Sequence, residues 1–142
     1  MEQYRIESEQ EVKTYIDHLK YALKHNATIS FQEVRRVDAH RKMIYTNKYT
    51  MANLFPEEDP LNVLKRELQT LTVKNYLRTA KDLRFPKRSE MREFGKVYNG
   101  TDEVYIKIRV ELLGENGAHT TFVMSFHFAE KAFKEEVFPY CA

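Results

Sequence analysis

Two segments near the end of the chain alternate with a period of two, and they constrain the fold more than anything else in it. In VYIKIRVELL, residues 104–113, Val104, Ile106, Ile108, Val110 and Leu112 share one face. Tyr105, Lys107, Arg109 and Glu111 share the other. In TFVMSFHF, residues 121–128, Phe122, Met124, Phe126 and Phe128 alternate with Thr121, Val123, Ser125 and His127. Successive side chains of a strand point to opposite sides, so such alternation marks half-buried strands. Asn-Gly pairs, whose left-handed backbone suits tight hairpin turns, stand at 99–100 and 116–117. Residues 91–128 are therefore predicted as an antiparallel sheet with one apolar and one polar face.

Helices are expected before it. Ser8-Glu9-Gln10-Glu11 fits a capping box, and Val12, Tyr15, Ile16, Leu19 and Leu23 follow at helical spacing, which predicts a helix over 8–26. Residues 27–36, with Ile29 and Phe31 alternating, read as a short strand, and residues 45–50 as extended chain. Asp59 as cap with Pro60 in the first turn suits a second helix, 59–71, through Leu61, Leu64, Leu68 and Leu71. Thr72 caps a short turn before Tyr76, and Pro86 breaks what precedes it. Helices first and strands last predict the α+β class, with N-terminal helices packed on one face of an antiparallel C-terminal β-sheet, in a single domain 1–142. The polar hairpin face, with Tyr105, Lys107, Arg109, Ser125 and His127, would then be left open.

A chain of 142 residues can bury roughly 68–70% of its unfolded surface and needs no staple. The one cysteine, Cys141, has no partner for a disulfide, which suits a reducing compartment. With no charged-then-apolar leader and no apolar run of membrane length, the expectation is a cytoplasmic protein with no membrane partner. The net charge of +2 says little. Its distribution says more. Seven basic residues, Arg78, Lys81, Arg84, Lys87, Arg88, Arg92 and Lys96, face three acidic ones in the stretch 78–96. From residue 97 onward there are four basic and seven acidic side chains. The basic stretch is the candidate RNA-binding element, since concentrated charge creates a local potential.

Several chemistries find no support. No glycine-rich phosphate loop or serine-hydrolase elbow is present, and the histidines (His18, His25, His40, His119, His127) lack ligand spacing. No cofactor and no metal are expected. What remains is acid–base chemistry on an anion. RNA is cut without metal if a base takes the 2′-OH proton, cations steady the phosphorane and an acid protonates the leaving oxygen. His127 suits proton transfer, Lys107 and Arg109 suit phosphate contact, and Tyr105 suits positioning or proton donation. Two other readings stay open. The same side chains could be cross-strand charge pairs on a solvated face. An aromatic-rich face could instead bind a host protein or nucleic acid without catalysis, as a phage or mobile-element factor would.

The order of motifs from about residue 45 to 128 resembles the MqsR-type toxins of bacterial toxin–antitoxin pairs, which share the RelE-like fold. The resemblance is carried by Tyr45-Thr46-Asn47-Lys48, by Leu71-Thr72 before Tyr76, by Gly95-Lys96-Val97-Tyr98, by Val104-Tyr105-Ile106-Lys107 and by Ser125-Phe126-His127. It implies a metal-independent endoribonuclease that cleaves mRNA, ribosome-bound in some members, and is silenced by a cognate antitoxin. The family's catalytic strand tyrosine falls on Tyr105, and the basic residue after its Ser-Phe element on His127. Its lysine after the helix-end tyrosine falls on Leu77, so Arg78 or Lys81 would have to serve. The polar residue before its Val-Tyr strand end falls on Gly95.

Overall fold

Tyr98 to Thr101 shows how directly some of this chain's chemistry becomes geometry. Asn99 and Gly100 both take positive φ, 52° and 79°, and the Thr101 amide donates to the Tyr98 carbonyl at 3.2 Å. That is the mirror-image turn that matches strand twist. The computed structural model describes residues 1–113 and 118–141, so the second Asn-Gly pair, 116–117, lies outside the described residues.

The elements run β1 (Glu2–Arg5), α1 (Glu9–Lys24), β2 (Thr28–Phe31), α2 (Asn47–Leu54), α3 (Pro60–Glu67), β3 (Tyr76–Asp82), β4 (Met91–Tyr98), β5 (Asp102–Leu113) and β6 (Ala118–Phe128). The class is α+β, with three α-helices and one six-stranded sheet in the order β1-β3-β4-β5-β6-β2. Neighbours are antiparallel except β2, which runs parallel to β6. Two expectations change here: a strand precedes the first helix, and the sheet is mixed.

β1 and β2 occupy opposite edges, so α1 between them must cross a whole face. Its 16 residues span about 24 Å at 1.5 Å per residue. Six strands at roughly 4.8 Å spacing are about as wide. The helix starts as its sequence says, with the Glu11 amide donating to Ser8 Oγ at 3.2 Å and the Ser8 amide to Glu11 Oε1 at 3.1 Å. α3 starts on Asp59, whose carboxylate accepts from the Asn62 amide at 3.3 Å, with Pro60 in its first turn. Val12, Ile16, Leu19 and Leu23 of α1 and Val63, Leu64, Leu68 and Leu71 around α3 meet Tyr76, Phe94, Ile106, Ile108 and Phe126 in one core.

Residues 47–54 form a helix, overlapping the 45–50 stretch predicted as extended chain, and the reason is tertiary. β2 pairs with β6 only at residues 120–123, which leaves the rest of that edge short of partners. α2 supplies them from side chains. Asn47 Nδ2 donates to the carbonyls of Gln32 and Met124, and its Oδ1 accepts from the Phe126 amide at 2.9 Å. Thr50 Oγ1 accepts from the Phe128 amide at 2.9 Å. An unpartnered buried amide costs about 1–3 kcal/mol, so two polar residues buried at this edge are favoured over apolar ones.

Asn47 also holds an irregularity. Lys107 pairs with Ser125, but Ile108 pairs with Val123, so Met124 is an extra residue in β6. An extra residue reverses which side chains face which way beyond it. The strict alternation predicted for 121–128 is thereby corrected. Val123 and Thr121 are buried, with Val123 in the core, while Phe122 crosses to the polar side, where the Arg109 guanidinium lies 4.3 Å from its ring centroid.

Candidate functional site

The register places His127 opposite Tyr105 and Ser125 opposite Lys107, with the two rings of the first pair 5.5 Å apart at their centroids. All four line a concavity of about 360 Å³ on the face away from α1 and α3. This face is not open, as the sequence predicts it to be; two segments wall it. Residues 35–41, joining β2 to α2, bring Arg35 and Arg41. Residues 129–136, following β6, bring Glu130, Lys131 and Phe133. The Arg41 guanidinium lies 3.0 Å from Glu130 and 3.5 Å from Asp38, which ties the two walls together.

Gly95 forms part of the floor beneath the second wall. A Cβ there would stand 2.8 Å from Cζ of both Phe133 and Phe138. The bare backbone lets these rings pack edge to face, 5.4 Å apart. The position where the resemblance calls for a polar side chain therefore makes room for Phe133 and Phe138. Gly95→Val is expected to push these two rings off the sheet and cost about 1–3 kcal/mol, the usual penalty of overpacking, measurable by urea unfolding.

His127 is 3% exposed. Its Nδ1 lies 2.8 Å from the Phe128 carbonyl, an acceptor only, so Nδ1 carries the hydrogen and Nε2 holds a bare lone pair. That Nε2 is buried and has no hydrogen-bond partner among the described residues. Burial drives the imidazole below its ordinary value of 6.5, and the Arg41 and Arg35 charges add to this against the Phe128 bond and Glu130. At neutral pH it is an uncharged base. Tyr105 is pushed the other way, above 10, by burial first and then by the Glu93 charge, so it stays a phenol.

Glu93, like Arg35 and Arg41, is a residue that reasoning from sequence missed. It is 2% exposed, lines the same concavity, and accepts from Arg78 Nε at 3.1 Å on one oxygen while the other has no partner among the described residues. An acidic residue inside an alternating strand, MREFGKVY, facing the same side as Tyr105 was the available signal. Arg78 reaches the concavity because β3 has its own register shift between Tyr76 and Arg78. Its guanidinium also lies 3.6 Å from the centroid of the Tyr4 ring. Of the two stand-ins for the family's lysine, Arg78 is at the site; Lys81 donates to the Arg88 carbonyl at 2.6 Å instead.

The rest of the basic stretch does not gather on one surface. Arg84, Lys87 and Arg88 lie exposed in the turn between β3 and β4, Arg84 paired with Asp82 at 3.0 Å and Arg88 stacked 3.8 Å from the Phe85 centroid. Arg92 points under α1, where it bonds Glu7 at 2.8 Å and lies 4.4 Å from the Tyr15 ring centroid. Lys96, on the same side as Arg92, bonds Thr70 and lies 3.8 Å from Glu67. The register shift in β3 turns Arg78 to the concavity, the turn holds Arg84, Lys87 and Arg88 off the sheet, and Arg92 and Lys96 face the opposite side from Arg78. Arg109 pairs with Glu111 outside the concavity, and the Lys107 ammonium bonds Glu2 at 2.6 Å. Burial works to raise Glu2, but the Lys107 bond and charge outweigh it and hold that carboxyl below 4.5.

Taken together, the site has a neutral buried base, a protonated phenol and a buried carboxylate, ringed by guanidinium and ammonium groups. It belongs to an α+β protein built on a mixed six-stranded sheet. No family model, curated protein or solved structure matches this chain. Among the described residues, no helix is long and apolar enough to cross a membrane.

Proposed function

We propose that the chain is a metal-independent endoribonuclease of the RelE-like, MqsR-type toxin class, cleaving mRNA in the cytoplasm, free or on the ribosome, and silenced by a cognate antitoxin. The reading is carried by one observation: His127 Nε2, an uncharged base without a partner among the described residues, stands directly across the strand pair from Tyr105. The motif order shared with those toxins adds to it. In this mechanism His127 Nε2 takes the proton of a ribose 2′-OH. The 2′-oxygen then attacks phosphorus, and the bond from phosphorus to O5′ breaks. Tyr105 gives its phenolic proton to O5′, leaving a 2′,3′-cyclic phosphate and a 5′-hydroxyl. Arg78 and Lys107 balance the charge that builds on the phosphorane. A cognate antitoxin would act by covering the concavity.

The test is purified protein with end-labelled mRNA in EDTA, followed by gel and by end-group analysis for cyclic phosphate, then repeated with translating ribosomes. Tyr105→Phe is expected to lower the cleavage rate by about 100-fold, the scale of losing one aligned donor. RNA left intact in both settings by the wild type would remove the reading and leave a binding surface.

A further inference from the structure

Four of the cations around the concavity are already matched by a carboxylate: Arg78 by Glu93, Lys107 by Glu2, Arg41 by Glu130 and Asp38, and Lys131 by Glu136 at 4.0 Å. Arg35 is not. No carboxylate among the described residues lies within ion-pair distance of its guanidinium. Its one side-chain hydrogen bond among the described residues is a long one, Nη1 donating to Ser125 Oγ at 3.4 Å. Its backbone is nonetheless well held. The Arg35 amide donates to Asp38 Oδ2 at 2.8 Å, and the Arg35 carbonyl accepts from the Asp38 amide at 3.0 Å. The side chain is thus a half-buried, anchored cation lying against Ser125, two residues along β6 from His127.

We infer that Arg35 binds the phosphodiester of a single-stranded RNA whose ribose 2′-OH donates to His127 Nε2. The inference rests on the reading of the concavity as an RNA site and names the residue that seats the phosphate. Its chemical ground is the pair of unmet groups. Nε2 needs a donor, because Nδ1 already carries the hydrogen, and Arg35 needs an oxyanion. A 2′-OH beside a phosphodiester supplies both within one nucleotide. A carboxylate group supplies acceptors only, so an acidic side chain that met Arg35 would leave Nε2 without a donor, and DNA lacks the 2′-hydroxyl. Burial and the neighbouring Arg41 charge both press the Arg35 guanidinium below its usual range, with Asp38 opposing. An incoming phosphate relieves that strain on the charge. A guanidinium suits a phosphodiester better than an ammonium does, since it can offer two parallel N–H groups to two oxygens. Nothing in residues 32–42 has the spacing of a recognised site, and only the fold brings them beside β6.

Binding of a short fluorescent single-stranded RNA is measured on ice in EDTA over a salt series, with a gel run on the same samples to show whether the RNA stays whole. The comparison set is wild type, Arg35→Gln, Arg35→Lys and Lys13→Gln, an exposed change on the far side of α1. Arg35→Gln is expected to weaken RNA binding about tenfold and to flatten the salt slope by about 0.7, one phosphate contact on a single strand. Arg35→Lys should keep the slope and recover part of the affinity, and Lys13→Gln should stay within about twofold of wild type. DNA of the same sequence should bind the wild type about tenfold more weakly than RNA. Should Arg35→Gln fail to fold, RNA should still shield Arg35 of the wild type from phenylglyoxal, read by peptide mass. Wild-type affinity and slope in Arg35→Gln, absent shielding, or DNA or an oligoglutamate peptide bound as tightly as RNA would each overturn the inference. RNA held through Arg35 yet left whole in the cleavage assay, both free and with translating ribosomes, would remove the cleavage reading and keep this one. Unimpaired cleavage by Arg35→Gln would do the reverse.

Discussion

Replacing His127 by alanine is expected to lower RNA cleavage by about 10²–10⁴-fold, the range for losing a positioned general base. His127→Gln should lose as much, because glutamine keeps a polar group in the site but cannot carry the proton away. The pH profile separates this from simple misfolding. The folded imidazole titrates below 6.5, so wild-type cleavage should stay level across neutral pH and decline only on the acid side of pH 6.5. Stability should follow the same group. Between the folded value and 6.5 the unfolded chain binds more protons than the folded one. The stabilisation is thus complete above pH 6.5 and is lost as the pH falls toward the folded value. Urea unfolding of wild type and His127→Gln at pH 7.5 and pH 5.5 checks it: the acid loss should shrink in the variant. A cleavage rate unaltered in both variants would eliminate His127 as the base.

Glu7→Ala is expected to destabilise the fold by about 3–5 kcal/mol, the scale for stranding one member of a buried ion pair. Glu7 is 5% exposed and holds much of one end of the molecule together. Its carboxylate takes Arg92 at 2.8 Å and the Thr79 hydroxyl. Its amide donates to the Tyr76 hydroxyl at 3.1 Å, and its carbonyl accepts from Tyr140. Burial alone would raise this carboxyl. The bonds from Arg92 and Thr79 with the Arg92 charge outweigh that and hold it below 4.5. Its contribution is therefore full above pH 4.5 and disappears as the pH falls through the lowered folded value. Urea midpoints at pH 7 measure the loss. The double change Glu7→Leu with Arg92→Met should recover most of it, because removing both charges leaves neither of the pair stranded. A loss under about 1 kcal/mol in Glu7→Ala would show that water, not Arg92, satisfies the carboxylate.

Elements whose signals are local were legible in the sequence. The Ser8 capping box, the Asp59-Pro60 start and the Asn99-Gly100 turn each act within four residues, and each stands where it was expected. β1 and β3 were not legible. β1 has four residues on an edge, and β3 loses its alternation at the register shift after Tyr76. The helix at residues 47–54 was hidden for a different reason: the two side chains that define it face a strand edge some eighty residues later in the chain.

The candidate site divides along the same line. Sequence alone determined that Tyr105 and Lys107 share a strand face, because a period of two is a property of the chain itself. The alternation of 121–128 likewise marked a strand, and β6 does pair antiparallel with β5. Tertiary structure decided the register that puts His127 against Tyr105, the extra residue at Met124, and the burial that leaves the imidazole uncharged. It also scattered the basic stretch and brought in Arg35, Arg41 and Glu93. Those outcomes depend on which distant groups fill a partner's hydrogen bonds and exclude its water. Desolvation and pairing of that kind are set by neighbours in space, and no local pattern of residues encodes them.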